Sequence, residues 1–238
     1  MTELPPQKPK KRRLLWLAAL LPVVFAAYSA GWFYFAGRGR AEAAGTIAAL
    51  AAQGVNAACA NLAVSGYPVR FAVSCDNTAY EDDANDVVVS TGAITASLAF
   101  YRPLSPEADI IGPLRTAAPG MAPLWLDWDR MHLATGLAWP ATQRVSLQAE
   151  GFSVQTDPQD EPDPLQLFSA DTAAAEMRPQ GPDLGVSASF GSLQIDAEAV
   201  GGRTLPPLDG TLEATVKDGM KLIGARTESL RGQALDLK

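Results

Sequence analysis

Residues Leu14–Phe35, LLWLAALLPVVFAAYSAGWFYF, form a 22-residue run without a charged side chain. A helix of that length reaches roughly 33 Å, about the hydrocarbon thickness of a bilayer. Lys8, Lys10, Lys11, Arg12 and Arg13 precede it, and Arg38 and Arg40 follow. By the positive-inside rule, residues 1–13 stay in the cytoplasm and everything beyond the run lies outside. Trp16 near one end and Trp32 and Tyr34 near the other suit the two interfaces. Pro22 is tolerable in a membrane helix, where freed backbone groups find local partners. The rival is a cleaved signal peptide, with Ala41-Glu42-Ala43 as its small-x-small site. Signal cores run about 7–15 residues. This run continues through Trp32–Phe35 and is followed by two arginines, so a retained anchor over 14–36 is expected.

The charge is unevenly divided. From Ala41 onward there are 12 Lys and Arg against 25 Asp and Glu. Such a surface repels phosphate backbones, so no nucleic-acid partner is expected. About 200 residues remain outside the anchor, enough for a substantial core.

Beyond the anchor, Gly37–Arg40 reads as a short flexible collar and Ala41–Val55 as a helix, because alanine dominates and Ile47, Leu50 and Ala51 share one face. Together with the chain up to residue 58 these make a collar-and-helix segment, and 59–238 is the expected β-rich domain outside the inner membrane. In Cys59–Asp76, Leu62 and Val64 alternate with small or polar residues. Gly66-Tyr67-Pro68 breaks the chain, and Val69, Phe71, Val73 and Cys75 then alternate with Arg70, Ala72 and Ser74. This is the pattern of a hairpin with one buried face. Cys59 and Cys75 are the chain's only cysteines, and in an oxidising compartment such a pair is expected as a structural disulfide. Two thiols so spaced, with no CxxC and no nearby histidine, do not make a zinc site. Cys59 is out of phase with Leu62 and Val64, so it either precedes the ladder or a bulge resets the phase.

Asn77–Asp86 reads as an acidic turn whose order does not match a calcium loop. Val87–Tyr101 reads as strand, and Arg102–Pro123, with five prolines, as loop with a short extended piece near Ile110 and Ile111. After Leu124 come short alternating runs: Leu124–Trp128, Val145–Ala149, Leu165–Met177, Val186–Phe190, Leu193–Ala197, Thr211–Val216 and Leu235–Leu237. Gly151 is a candidate bulge. Clusters at Asp157–Pro164, Arg178–Asp183 and Gly201–Gly210 separate the runs. The fold class expected is mainly β: an N-terminal transmembrane helix, one short helix, then a curved antiparallel β-sheet domain.

The GYPVRF…CD element within VSGYPVRFAVSCD (Val64–Asp76) is the most specific part of a wider resemblance. With the basic N-terminus, the anchor ending in GWFYFA, the segment PLWLDWD (Pro123–Asp129) and the repeated short strands, the chain resembles the bacterial envelope family known as domain of unknown function 2125. The resemblance implies an inner-membrane-anchored periplasmic β-rich protein, distantly similar to AsmA-like proteins with curved sheets. It also implies that further strands follow Lys238, and it supplies no catalytic residues.

Chemistry finds little purchase. His132 lies between Met131 and Leu133 on an expected strand, without a nucleophile turn of the G-x-S-x-G kind. Asp127 and Asp129 could form a carboxylate pair for an envelope hydrolase. Alternating acids on the solvent face of a strand explain them as well. No catalytic residue, cofactor or metal is expected, and the expectation is a non-enzyme. The sheet's apolar face carries Leu62, Val64, Phe71, Val73, Ile94, Leu98 and Leu126, and continues through Leu147, Val154, Val186, Leu212 and Val216. Contiguous exposed apolar area of that extent is rare. These residues are therefore candidates for a groove that accepts acyl chains or another envelope protein near the anchor.

Overall fold

The computed structural model describes residues 10–138, 141–160, 162–219 and 235–237. One helix, α1 (Lys10–Ala51), leads into an antiparallel sheet. The first strands are β1 (Val55–Ala60), β2 (Ala63–Ser65), β3 (Arg70–Cys75), β4 (Asn77–Asp82), β5 (Val87–Thr91), β6 (Ile94–Ala99), β7 (Arg102–Ile110) and β8 (Leu114–Ala117). They are followed by β9 (Leu124–Asp127), β10 (Arg130–Ala138), β11 (Ala141–Thr156), β12 (Gln166–Gln180), β13 (Asp183–Ile195), β14 (Leu208–Val216) and β15 (Leu235–Leu237).

The topology is simpler than this count suggests. Opposite β3 and β4, the first two strands keep one register, with Ala63 facing Ser74 and Ala60 facing Asn77. The pair β3–β4 likewise meets β6 and β5 in a single register, as β9–β10 does along β11. Strands β1/β2, β3/β4, β5/β6, β7/β8 and β9/β10 are therefore halves of five long runs. With β11 to β14 they form an up-and-down meander that curls into a half-barrel, and β15 pairs on β14.

A crease crosses this meander where every run breaks. Along it lie Asn61, Asp76, Gly92, Gly112, Trp128–Asp129, Gly151, Asp171–Thr172 and Gly191–Ser192. Asn61, Gly151 and Ser192 have left-handed φ of 53°, 64° and 54°. The in–out alternation slips by one residue there in every run up to β13 except β7/β8, where Ile110 and Leu114 are four apart. In the first run Ala57 and Cys59 point to the covered side before the crease, and Leu62 and Val64 after it. Cys59 thus belongs to β1, which pairs with β4 and not with the expected hairpin, and Asn61 resets the phase. Gly151 adds no extra residue, because β11 and β12 hold one register on both sides of it. It is a kink and not a counted bulge.

Several expectations need correction. No collar separates two helices, since α1 is continuous through Gly37 and Gly39 and stops at Ala51. Gly39 serves packing: a Cβ there would meet the Phe71 ring at 2.6 Å. Arg38 and Glu42, one turn apart at 3.5 Å, add a helical pair across the expected break. Asn77–Asp82 is strand β4, and only 83–86 is the turn. The stretch expected as loop, Arg102–Pro123, holds β7 and β8. Its prolines do not forbid this, because the ladder from β7 to β10 covers only Glu107–Ile110. Pro103 and Pro106 lie outside that ladder, where a missing N–H costs nothing. Val186–Phe190 and Leu193–Ala197 belong largely to one strand, β13.

The core is thin. Trp128, Met131 and Ala149 form its buried centre, with Ile110, Leu114, Leu126, Leu147, Phe152 and Ala173 packed around them. Accessible surface totals 16888 Å², against roughly 10,000 Å² for a compact protein of this mass. The uncovered helix and the open face of the half-barrel both contribute to that excess.

Candidate functional site

Directly opposed residues of an antiparallel pair share a face, so the registers place whole rows of side chains together. Along one edge of the crease runs Cys75–Ile94–Ile110–Met131–Ala149–Ala173–Phe190. The next row out is Val73–Ala96–Ala108–Leu133–Leu147–Ala175–Ala188–Leu212. Across the crease lies Cys59–Thr78–Thr91–Leu114–Leu126–Val154–Phe168–Ile195. Apart from two threonines these rows are apolar or disulfide. At about 4.8 Å per strand, the first row extends roughly 29 Å.

The rows line a trough on the inner face. Where they cross β10 to β13, small side chains leave a hollow of about 210 Å³ floored by Ala149, Ala173, Ala175 and Ala188 and walled by Phe152, Phe168 and Phe190. The Phe152 and Phe168 rings stand 6.1 Å apart. Trp128 closes the crease beside it, 7 % exposed, its indole N–H donating to the Ile110 carbonyl at 2.8 Å. That bond leaves the ring free to act as apolar wall without a stranded donor.

Of the candidate groove residues, the structure brings Val64, Phe71, Val73, Ile94 and Leu98 together on β2, β3 and β6, with Val64 opposite Val73 and Phe71 opposite Leu98. Leu62 sits in the break between β1 and β2, half-buried on the same side. Leu126 lies on the other leaf, across the crease, against Leu114 and Val154. Helix α1 already covers one end: Trp32 packs 6.4 Å from the Phe71 ring. The hollow falls on β10 to β13, where the expected apolar face supplied Leu147 but not the alanine floor. Its signal was the run Ala173–Ala175 facing Ala188, which reads as weak alternation because alanine is small and not strongly apolar.

Cys59 and Cys75 are bonded to each other, Cα atoms 5.4 Å apart, joining β1 on one leaf to β3 on the other. Around the bond, the Asp76 N–H donates to the Ala60 carbonyl at 2.9 Å and the Asn61 side-chain amide to the Asp76 carboxylate at 2.8 Å.

The polar groups considered for catalysis are locally engaged. Asp127 Oδ1 accepts the Trp128 N–H at 2.9 Å. Asp129 packs against Gly151, on the other side of the buried Trp128. His132 Nδ1 lies 2.8 Å from Asp109 Oδ1 on the exposed side of β10 and β7. Among the described residues, no group of three or more His, Cys, Asp or Glu could hold a metal ion. Among the described residues the one fully buried charge is Asp157, in the turn after β11, bound by the Arg115 guanidinium and by the Gln159 N–H at 2.8 Å. Burial pushes its carboxyl up, but Arg115 and the Gln159 N–H outweigh that and hold it below the ordinary value. This is a clasp between β8 and the β11–β12 turn, at the end of the sheet far from the Tyr67–Pro68 turn.

No curated protein and no solved structure matches this chain. The profile of the family described as an uncharacterized protein conserved in bacteria, domain of unknown function 2125, matches residues 32–237, which takes in the whole sheet, and the chain belongs to that family.

Proposed function

We propose that this protein is anchored in the inner membrane by α1, displays its half-barrel in the periplasm, and works by binding the acyl chain of an envelope lipid. Catalysis has no part in this reading. The observation that carries it is the set of apolar rows flanking the crease, with an alanine-floored hollow where they cross β10 to β13. A helix long and apolar enough to cross a membrane leads directly into the covered end of the same face. A trough of roughly 29 Å exceeds the roughly 15 Å depth of one leaflet, so it can accept a whole chain lengthwise. The lining offers apolar burial and few polar groups, which suits an acyl chain better than a polar substrate.

The test is mass spectrometry of lipid extracted from the full chain purified in mild detergent, beside an Ala175→Phe variant that fills the hollow. Wild type should carry lipid in fixed proportion and the variant should lose most of it. Wild-type protein that carries no lipid and binds no hydrophobic dye would refute the proposal. A hydrolase using Asp127 or Asp129 would instead lose all turnover in Asp127→Asn or Asp129→Asn while keeping its lipid.

A further inference from the structure

The half-barrel touches α1 inside the stretch that is uncharged and long enough to span a bilayer. Tyr28 Oη donates to the Pro68 carbonyl, Ser29 Oγ and Tyr67 Oη are 2.6 Å apart, and the Phe33 and Tyr67 rings stack at 5.4 Å. Tyr28 also meets the Phe100 ring edge-on at 5.8 Å, and Phe25 meets Tyr67 at 6.5 Å. Tyr28 lies seven residues before Phe35, about 10 Å deeper along the helix. Two turns of the sheet are therefore held beside a part of the helix that sits below the end of the uncharged run. Both present large apolar side chains outward: Val69, Phe100, Tyr101 and Leu104 are each more than half exposed. Arg70 and Arg102 follow at once, lining with Tyr101 and Glu107 a polar hollow of about 110 Å³.

We infer that the Tyr67–Val69 turn and the Phe100–Tyr101 turn, with the start of β7 up to Leu104, form a second membrane contact, seated in the interfacial layer of the bilayer beside the helix. The occupant follows from continuity: a surface fixed against Phe25, Tyr28 and Phe33 occupies whatever medium those residues occupy. Aromatic rings with polar tips favour this layer, and the arginines stand at the height of the phosphates. The inference rests on the anchored reading of α1 and adds that the domain itself dips into the lipid.

The experiment uses the full chain in nanodiscs of phosphatidylethanolamine and phosphatidylglycerol. Single cysteines at Val69, Tyr101, Leu20 and Asn85 carry an environment-sensitive dye, and the lipids are brominated on their acyl chains. The native cysteines are bonded to each other and stay silent. All four positions are exposed, so the substitutions disturb little packing. Emission at Val69→Cys and Tyr101→Cys should fall by a fraction comparable to that at Leu20→Cys, with Asn85→Cys, at the far end of the sheet, unchanged. Quenching at Leu20 alone would overturn this inference and leave the anchored reading intact. No quenching at Leu20 would overturn both. Labels at Val69 and Tyr101 shielded from bromine and from a water-soluble quencher alike would mean protein cover, and would also overturn it.

Discussion

The indole N–H of Trp32 donates to the carbonyl oxygen of Arg70 at 3.0 Å, tying α1 to the backbone of β3. Trp32 is 6 % exposed, although most of the helix around it is bare. Trp32→Phe, which loses the donor and keeps a ring, should cost about 1 kcal/mol. Trp32→Ala should cost about 3–5 kcal/mol, since it also leaves a cavity against Tyr67 and Phe71. Denaturant unfolding of the detergent-solubilised full chain separates the two, and equal losses would show that the ring contributes nothing.

Removing the disulfide by Cys59→Ser with Cys75→Ser should lower stability by about 3 kcal/mol, the chain-entropy value for a loop near 15 residues. The bond joins the two leaves across the crease, so the doubly substituted protein should also become sensitive to protease near Asn61 and Asp76. Non-reducing peptide mapping of native protein checks the pairing directly, and free thiols there would contradict it.

Gly151 sits at φ +64°, and a Cβ on it would overlap the Asp129 carboxylate. Gly151→Ala should therefore destabilise by about 1–3 kcal/mol, the usual range for strain at such a backbone position. The check is a Tm series in which Gly136→Ala, at a strand glycine with room for a methyl group, serves as the comparison. Equal Tm values for both would remove the crease as a point of constraint.

Asp157 has a folded-state pKa below its ordinary 3.8. The stability this group contributes is fully present above about pH 3.8 and is lost as pH falls through the lower folded value. Asp183, held down chiefly by the Asp218 N–H at 2.9 Å, acts in the same direction. Unfolding followed from pH 6 downward should thus show a steep acid loss in wild type that is shallower in Asp157→Asn. At neutral pH, Asp157→Ala should cost about 3–5 kcal/mol, because it strands a partly buried guanidinium. A wild-type acid limb no steeper than the variant's would count against the clasp.

The hairpin of β2 and β3 was legible because Gly66-Tyr67-Pro68 punctuates two alternating runs, and the disulfide because only two cysteines exist. The crease was visible only as a symptom, the phase conflict between Cys59 and Leu62. A period-2 reading has no place for a step that recurs across neighbouring strands, and at Asn61, Gly151 and Ser192 the step depends on a left-handed φ. Strands β4, β7 and β8 were hidden by their acids and prolines, whose tolerance depends on which backbone N–H groups face a neighbour. That is a property of the assembled sheet. The Ala149, Ala173, Ala175 and Ala188 floor was hidden for a related reason: no single strand carries it, and only register assembles it.

Because α1 passes without a break from its bare first half into the part that lies along the sheet, it is a mast and not a tether. The stretch from Ala36 to Ala51 adds about 24 Å of rigid rod above the uncharged run. A domain on a flexible collar would sample all headings and sweep a hemisphere. This one inherits its heading from the helix, so any tilt of the lower half swings the half-barrel as a lever. Whatever meets the trough must come from one bearing and at one height.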